Sequence, residues 1–118
     1  MGAEPKSIIT KWMQYCMVCG KPREDCHHAL YNTGKRKLAD QDHLLIPLCR
    51  YHHEDSKNGV HNNAGMKAMS QALAQAIWQR QYLADKLASG ENLGHQSAED
   101  WIEESANAFK TRYGEFYL

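Results

Sequence analysis

Cys16-Met-Val-Cys19 and Cys49-Arg-Tyr-His52-His53, with Cys26-His-His28 between them, are the stretches on which the reading of this chain turns. Each outer stretch carries a ligand pair, Cys-x2-Cys or Cys-x2-His, and a tetrahedral zinc ion takes four ligands of this type. The two-residue gap lets both members of a pair turn toward one ion. The first pair reads as part of a tight turn running to Pro22. The second reads as the start of a helix, whose N-terminus favours the Cys49 thiolate. Structural zinc is worth an apparent ~10–16 kcal/mol in small peptides, more than the net stability of most domains. Ion binding and folding of residues 16–60 are therefore expected to be one event. Cys26 lacks a paired partner and reads as a buried spectator or as a substitute for one of the four. A thioredoxin-like redox pair fits poorly, because no βαβ pattern surrounds the motif. A DNA-reading two-Cys, two-His finger is excluded by spacing: 29 residues separate the pairs here, where such a finger needs about twelve.

The histidines sharpen the metal question. Six of the seven, and all four cysteines, fall between positions 16 and 61, and only His95 lies outside. Successive helix residues point about 100° apart, so His52 and His53 do not face one ion, which leaves His53 for a second. His27 and His28 alternate across a strand, which argues for a split of duties, one binding metal and the other handling a proton.

Composition narrows the partners. The 118 residues hold 14 Lys plus Arg against 14 Asp plus Glu, a formal net charge of zero, so any polyanion site must be local. Lys35, Arg36 and Lys37, with Lys21 and Arg23 nearby, supply either such a patch or a solvated turn; as a patch they would touch phosphates rather than base edges. No apolar run approaches the ~20 residues that span a bilayer, and the opening residues lack a signal peptide's apolar stretch. Met1-Gly2 opens like a myristoylation signal, but Lys6 stands where Ser or Thr is needed. The chain reads as soluble and cytoplasmic, with no membrane partner and with thiols kept reduced.

One domain spanning 1–118 is expected, with a change of character near Gly59 to Gly65. Residues 1–63 carry nine basic and seven acidic side chains, and residues 64–118 five and seven. In the second part Met66, Met69, Leu73, Ile77, Leu83 and Leu87 recur at helical spacing. Ser97 with Asp100 resembles a capping box ahead of a face formed by Trp101, Ile102, Ala106, Phe109 and Tyr113. Helices over about 64–88 and 98–113 follow, the first ended by Gly90 and the polar stretch 91–96, the second by Gly114. They read as packing or partner surfaces without a site of their own. In the first part, residues 26–31, closed by Asn32-Thr33-Gly34, and residues 44–48 read as short strands, and residues 50–57 as a helix ended by Asn58-Gly59. The class is α+β, and residues 1–63 hold too few apolar side chains for a substantial core of their own.

With these residues in place, the chain resembles the HNH, or ββα-metal, endonucleases, in particular the small phage-encoded members and the recombination-enhancement nucleases. The resemblance is carried by Cys16-Met-Val-Cys19, His27-His28, Lys35-Arg36-Lys37-Leu38, Ile46-Pro-Leu-Cys49-Arg-Tyr-His52-His53 and Gly59-Val-His61-Asn62. The closing stretch from Arg112 to Leu118 is similar to the C-terminus of those phage proteins. The resemblance implies a zinc-stabilised, treble-clef-like ββα-metal core followed by a helical C-terminal region. It implies structural Zn²⁺ on Cys16, Cys19, Cys49 and His52, and a catalytic Mg²⁺, Mn²⁺ or Ni²⁺ on His27 and His53. It makes His28 the general base for hydrolysis of DNA. Imidazole, with a reference pKa of about 6.5, suits that task near neutral pH. The family's third ligand falls four residues after the helix histidine, where this chain has Lys57. His61 substitutes only if Asn58-Gly59 folds the chain back; otherwise it is a surface loop histidine. Asp42, His43 and Asn32 are the candidates for orienting the base. Sequence preference is expected to be weak, and a homodimer or a host protein could use the C-terminal helices. The rival readings are a noncatalytic zinc module that binds nucleic acid or protein, which the Lys57 departure favours, and a regulatory phage protein.

Overall fold

The computed structural model describes residues 5–32, 34–90, 94 and 97–118. Thr33, His95, most of the 91–96 stretch and the opening Met1-Gly2 lie outside the described residues. The described chain is mixed α+β, in the order β1 (Asp25–His28), α1 (Lys35–Gln41), β2 (Leu45–Leu48), α2 (Arg50–Glu54), α3 (Ala64–Ala88) and α4 (Ala98–Tyr113). Strands β1 and β2 pair antiparallel, with His27 opposite Ile46 and His28 opposite Leu45. The Cys16 turn docks beside them, where Met17 N–H donates to the Pro47 carbonyl at 2.9 Å.

Local chemistry accounts for the departures from the expected elements. The first strand stops at His28 rather than position 31, because Ala29 N–H makes a last bond to the Leu44 carbonyl and Leu30 then turns fully inward. The helix expected over 50–57 ends at Glu54. The Asp55 carboxylate accepts the backbone N–H groups of Lys57 and Asn58, at 3.1 and 2.9 Å, an Asx-type turn that competes with helical bonding. The basic run is not a turn: Lys35, Arg36 and Lys37 open α1, which carries only seven residues and so little periodic signal.

The two long helices run over the expected residues, α3 capped by Asn63 and α4 by Ser97, with Gly114 in the left-handed region closing α4. The buried face of α3 is rotated from the expected one. Met69, Leu73 and Leu87 are exposed, whereas Ser70, Ala74 and Gln75 are buried. Small side chains permit close packing, and α4 answers with Ser105, whose hydroxyl accepts from Gln79. In α4, Phe109 and Tyr113 are buried but Ile102 is exposed. A single apolar cluster joins Leu30, Leu44, Ile46 and Val60 to Ala74, Phe109 and Tyr113. The shortage of apolar residues in the first part is thus met by the helices. Asp42 bolts the two together, accepting from Trp78 Nε1, Arg112 Nε and Tyr113 Oη at 2.9, 2.6 and 2.6 Å.

Candidate metal centres and the pocket beside them

The turn 16–21 and the start of α2 bring four ligand atoms together. Cys16 N–H donates to the Lys21 carbonyl and Gly20 N–H to the Cys16 carbonyl, closing the turn with Gly20 at φ 78°. Cys49 is the N-cap of α2, and His52 follows within its first turn. The donor atoms of Cys16, Cys19, Cys49 and His52 lie within 4.8 Å of one another. Cys19 Sγ is 3.7 Å from Cys49 Sγ, and His52 Nδ1 is 3.3 Å from Cys49 Sγ and 3.8 Å from Cys16 Sγ. Zn–S bonds of about 2.3 Å and Zn–N bonds of about 2.05 Å at tetrahedral angles require S···S near 3.8 Å and S···N near 3.5 Å. The cluster can hold a metal ion such as zinc. Burial alone would raise the Cys16 thiol, but backbone N–H groups of Cys49, Cys19 and Val18 bring it down to about 6, ready to ligate as thiolate. Cys19 is bonded by the Lys21 backbone, which favours its thiolate, yet burial and the neighbouring sulfurs leave it raised. A cation among the sulfurs would offset that repulsion and let Cys19 ionise beside the Cys16 thiolate.

A second cluster forms from His27, His53 and His61, whose donor atoms also lie within 4.8 Å of one another. As adjacent helix positions require, His53 turns away from the cysteines that His52 joins. His61 arrives by the fold-back: the turn after Glu54 sends Val60 N–H to the His52 carbonyl and His61 N–H toward that of His53, at 2.8 and 3.4 Å. Its Nε2 then stands 2.9 Å from His53 Nε2. Two imidazole nitrogens about 2.1 Å from one ion at right angles would be about 3.0 Å apart. His53 is oriented from behind, because Asp25 Oδ2 accepts its Nδ1–H at 3.0 Å and so leaves Nε2 with a lone pair. Although burial opposes it, that bond and Arg50 hold the Asp25 carboxyl below its usual range. A carboxylate behind a ligating histidine is the usual outer-shell arrangement of metal sites. His27 gives the clearest mark. It is 1% exposed, and its Nε2 is buried with no hydrogen-bond partner. Burial, then the neighbouring histidines, push its pKa down to about 3, so the ring is neutral with a free lone pair. A buried polar atom without a partner costs ~1–3 kcal/mol, and an ion shared with His53 and His61 would satisfy it.

The other site residues surround this cluster. His28, on the opposite face of β1 from His27, lines one pocket with His27, His53 and His61, together with Tyr31 and Arg36. The side chain beside it is Asp40 of α1, whose Oδ1 is 3.2 Å from His28 Nε2. None of the three residues read as base-orienting makes that contact. Asp42 is committed to the helices, His43 holds the turn at φ 58° with its carbonyl accepting Ile8 N–H, and the Asn32 carbonyl accepts Lys35 N–H. Asp40 was hidden from sequence reading because α1 was. Arg36 and Lys37 share a groove with His28 and Asp40. Lys35 points elsewhere, to Glu115 and the Tyr117 hydroxyl, both at 2.9 Å. Lys57 stays exposed on the turn. Cys26 lines the histidine pocket and takes no part in the cysteine cluster.

Residues 7–88 match the family described as "Protein of unknown function (DUF968)", and the chain belongs to that family. It is similar to the "Uncharacterized protein YdfU" of Escherichia coli (strain K12), with 36% identity over 53 residues, 42% of this chain and 15% of that protein. The chain therefore spans only a small part of that relative's length. No solved structure matches. Among the described residues, no helix is long and apolar enough to cross a membrane.

Proposed function

We propose that this chain is a metal-dependent endonuclease of the HNH, or ββα-metal, type. In this reading zinc on Cys16, Cys19, Cys49 and His52 holds the fold, and His27, His53 and His61 hold a divalent ion, Mg²⁺, Mn²⁺ or Ni²⁺. The substrate is a DNA phosphodiester, met through backbone contacts with little sequence preference. The observation that carries the reading is the partnerless Nε2 of buried His27, aimed into a cluster with His53 and His61 beside a fourth histidine paired to a carboxylate. When bound, the second ion supplies charge stabilisation to the scissile phosphate and the departing oxygen. Asp40 accepts from His28 Nε2–H and leaves Nδ1 basic. That nitrogen takes a proton from water as the water oxygen attacks phosphorus. The bond from phosphorus to the leaving oxygen breaks, that oxygen takes a proton from solvent water, and the products are a phosphate monoester and a hydroxyl. Arg36 borders the histidine pocket, Lys37 lies with it in the groove that His28 and Asp40 line, and both suit the flanking phosphates. A noncatalytic zinc module drew its support from Lys57 at the third-ligand position, and His61 beside His53 weakens that support.

The test is plasmid cleavage in Mg²⁺, Mn²⁺ or Ni²⁺ by wild type and by His28→Ala. The variant is expected to lose about 10²–10⁴-fold in rate, the usual worth of a general base, while zinc content and helical signal hold. Equal cutting by both would remove His28 from its role, and no cutting by wild type with any ion would favour the binding module.

A further inference from the structure

Helices α3 and α4 read from the sequence as packing elements, yet a residue in the opening turns of α3 covers an aromatic ring that lines the histidine pocket. The Lys67 ammonium lies over the ring of Tyr31, 5.4 Å from its centroid. That ring in turn meets His61 at 4.7 Å and His27 at 5.5 Å between centroids.

The place of Lys67 is fixed by the segment that delivers His61. Asn62 Nδ2 donates to the carbonyls of Glu54 and Asp55, at 3.1 and 3.2 Å, and Asn63 Nδ2 to that of Lys57 at 3.1 Å. The Asn63 side chain caps α3 by accepting Met66 N–H at 3.0 Å, and its carbonyl accepts Lys67 N–H at 2.9 Å. His61 and Lys67 thus sit at the two ends of one braced turn. Among the described residues no carboxylate pairs with Lys67. An unpaired ammonium beside a metal cluster repels the ion that the cluster would hold, a cost that an arriving anion removes by answering both charges. Arg36 reaches the same pocket from α1.

We infer that Lys67 binds a non-bridging phosphate oxygen of the nucleic-acid backbone at the metal centre, so that α3 completes the substrate site. This rests on the nuclease reading. It is tested by cleavage of a duplex oligonucleotide in Mn²⁺ across a range of NaCl concentrations, with wild type, Lys67→Met and Lys67→Arg. Methionine keeps an apolar stem on Tyr31, and Lys67→Gln serves if that variant folds poorly. Loss of one phosphate contact should flatten the log–log salt dependence of kcat/KM by about 0.9 and raise KM about tenfold, with zinc content unchanged. Arginine should restore both. A methionine variant with wild-type KM and wild-type salt slope overturns the inference while the nuclease reading stands. A variant that changes only the affinity for Mn²⁺ also overturns it, since Lys67 would then act on the ion alone. A wild type that cuts with no metal takes both readings down.

Discussion

Asp25 shows how one side chain sets what its neighbour can do. The Asp25–His53 bond at 3.0 Å fixes the tautomer that frees Nε2, and Arg50 Nη2, 3.4 Å from the other carboxylate oxygen, keeps the aspartate in place. Losing such an outer-shell partner typically costs about 10–100-fold in metal affinity. Asp25→Asn, which can present its amide nitrogen to the ring in place of an acceptor, is therefore expected to weaken Mn²⁺ binding at the histidine cluster within that range. Titration calorimetry on zinc-loaded protein measures this, and an unchanged affinity would mean that His53 needs no support. Nothing in the sequence singles out Asp25, because a lone aspartate before Cys26-His-His28 is an ordinary strand residue until α2 is folded against β1. The cysteine and histidine pairs were legible by contrast, since their meaning lies in spacing along the chain. His27 and His28 were separable for the same reason, the period of two along a strand.

The fold-back after α2 is the element on which the histidine cluster depends, and it is built around Gly59. A Cβ at that position would stand 2.5 Å from Asp55 N and 2.8 Å from the Asp55 oxygen, both backbone atoms of the turn that ends the helix. Neither can yield without opening the turn, whose own Gly59 N–H donates to the Asp55 carbonyl at 3.0 Å. Gly59→Ala is expected to cost about 1–3 kcal/mol, the usual penalty of forced overpacking, and to move His61 away from His53. Thermal unfolding gives the first quantity, and metal titration of the histidine cluster gives the second. A variant with wild-type Tm and affinity would show that the turn tolerates the methyl group. The sequence admitted this chain reversal through Asn58-Gly59 but put the helix end three residues too late, because the Asp55 carboxylate competes for backbone N–H groups at short range. The helices α3 and α4 were legible in extent because their caps and stops are local. Which face of α3 is buried was not, since Ser70, Ala74 and Gln75 owe their burial to α4 and to the C-terminal tail, whose Tyr117 and Leu118 N–H groups donate to Gln75 Oε1.

The part that carries the cysteine and histidine clusters and the helical part share one apolar cluster, so neither is expected to melt alone. Cys16 and Cys49 of the first cluster belong to the same buried group as Phe109 and Tyr113 of α4. Across that boundary Asp42 receives Trp78, Arg112 and Tyr113, and burial together with this carboxylate raises the Tyr113 pKa, which keeps the phenol a donor throughout the accessible pH range. In the proposed reading, chelation of zinc removes the ion that ties the turn 16–21 to Cys49 and His52 of α2. Leu48, between β1 and the second ligand pair, then loses its enclosure, and the surface against which Phe109 packs goes with it. The expected result is a single cooperative loss of helical circular dichroism on heating with chelator, at a lower Tm than for zinc-loaded protein, with α3 and α4 unfolding in the same step as the strands. Structural zinc supplies an apparent ~10–16 kcal/mol, more than a domain of this size holds in reserve, so the shift should be large. Two separated transitions, with the helical signal surviving the loss of zinc, would mean that α3 and α4 form a core without the cysteine cluster and that the Asp42 contacts join two independent units.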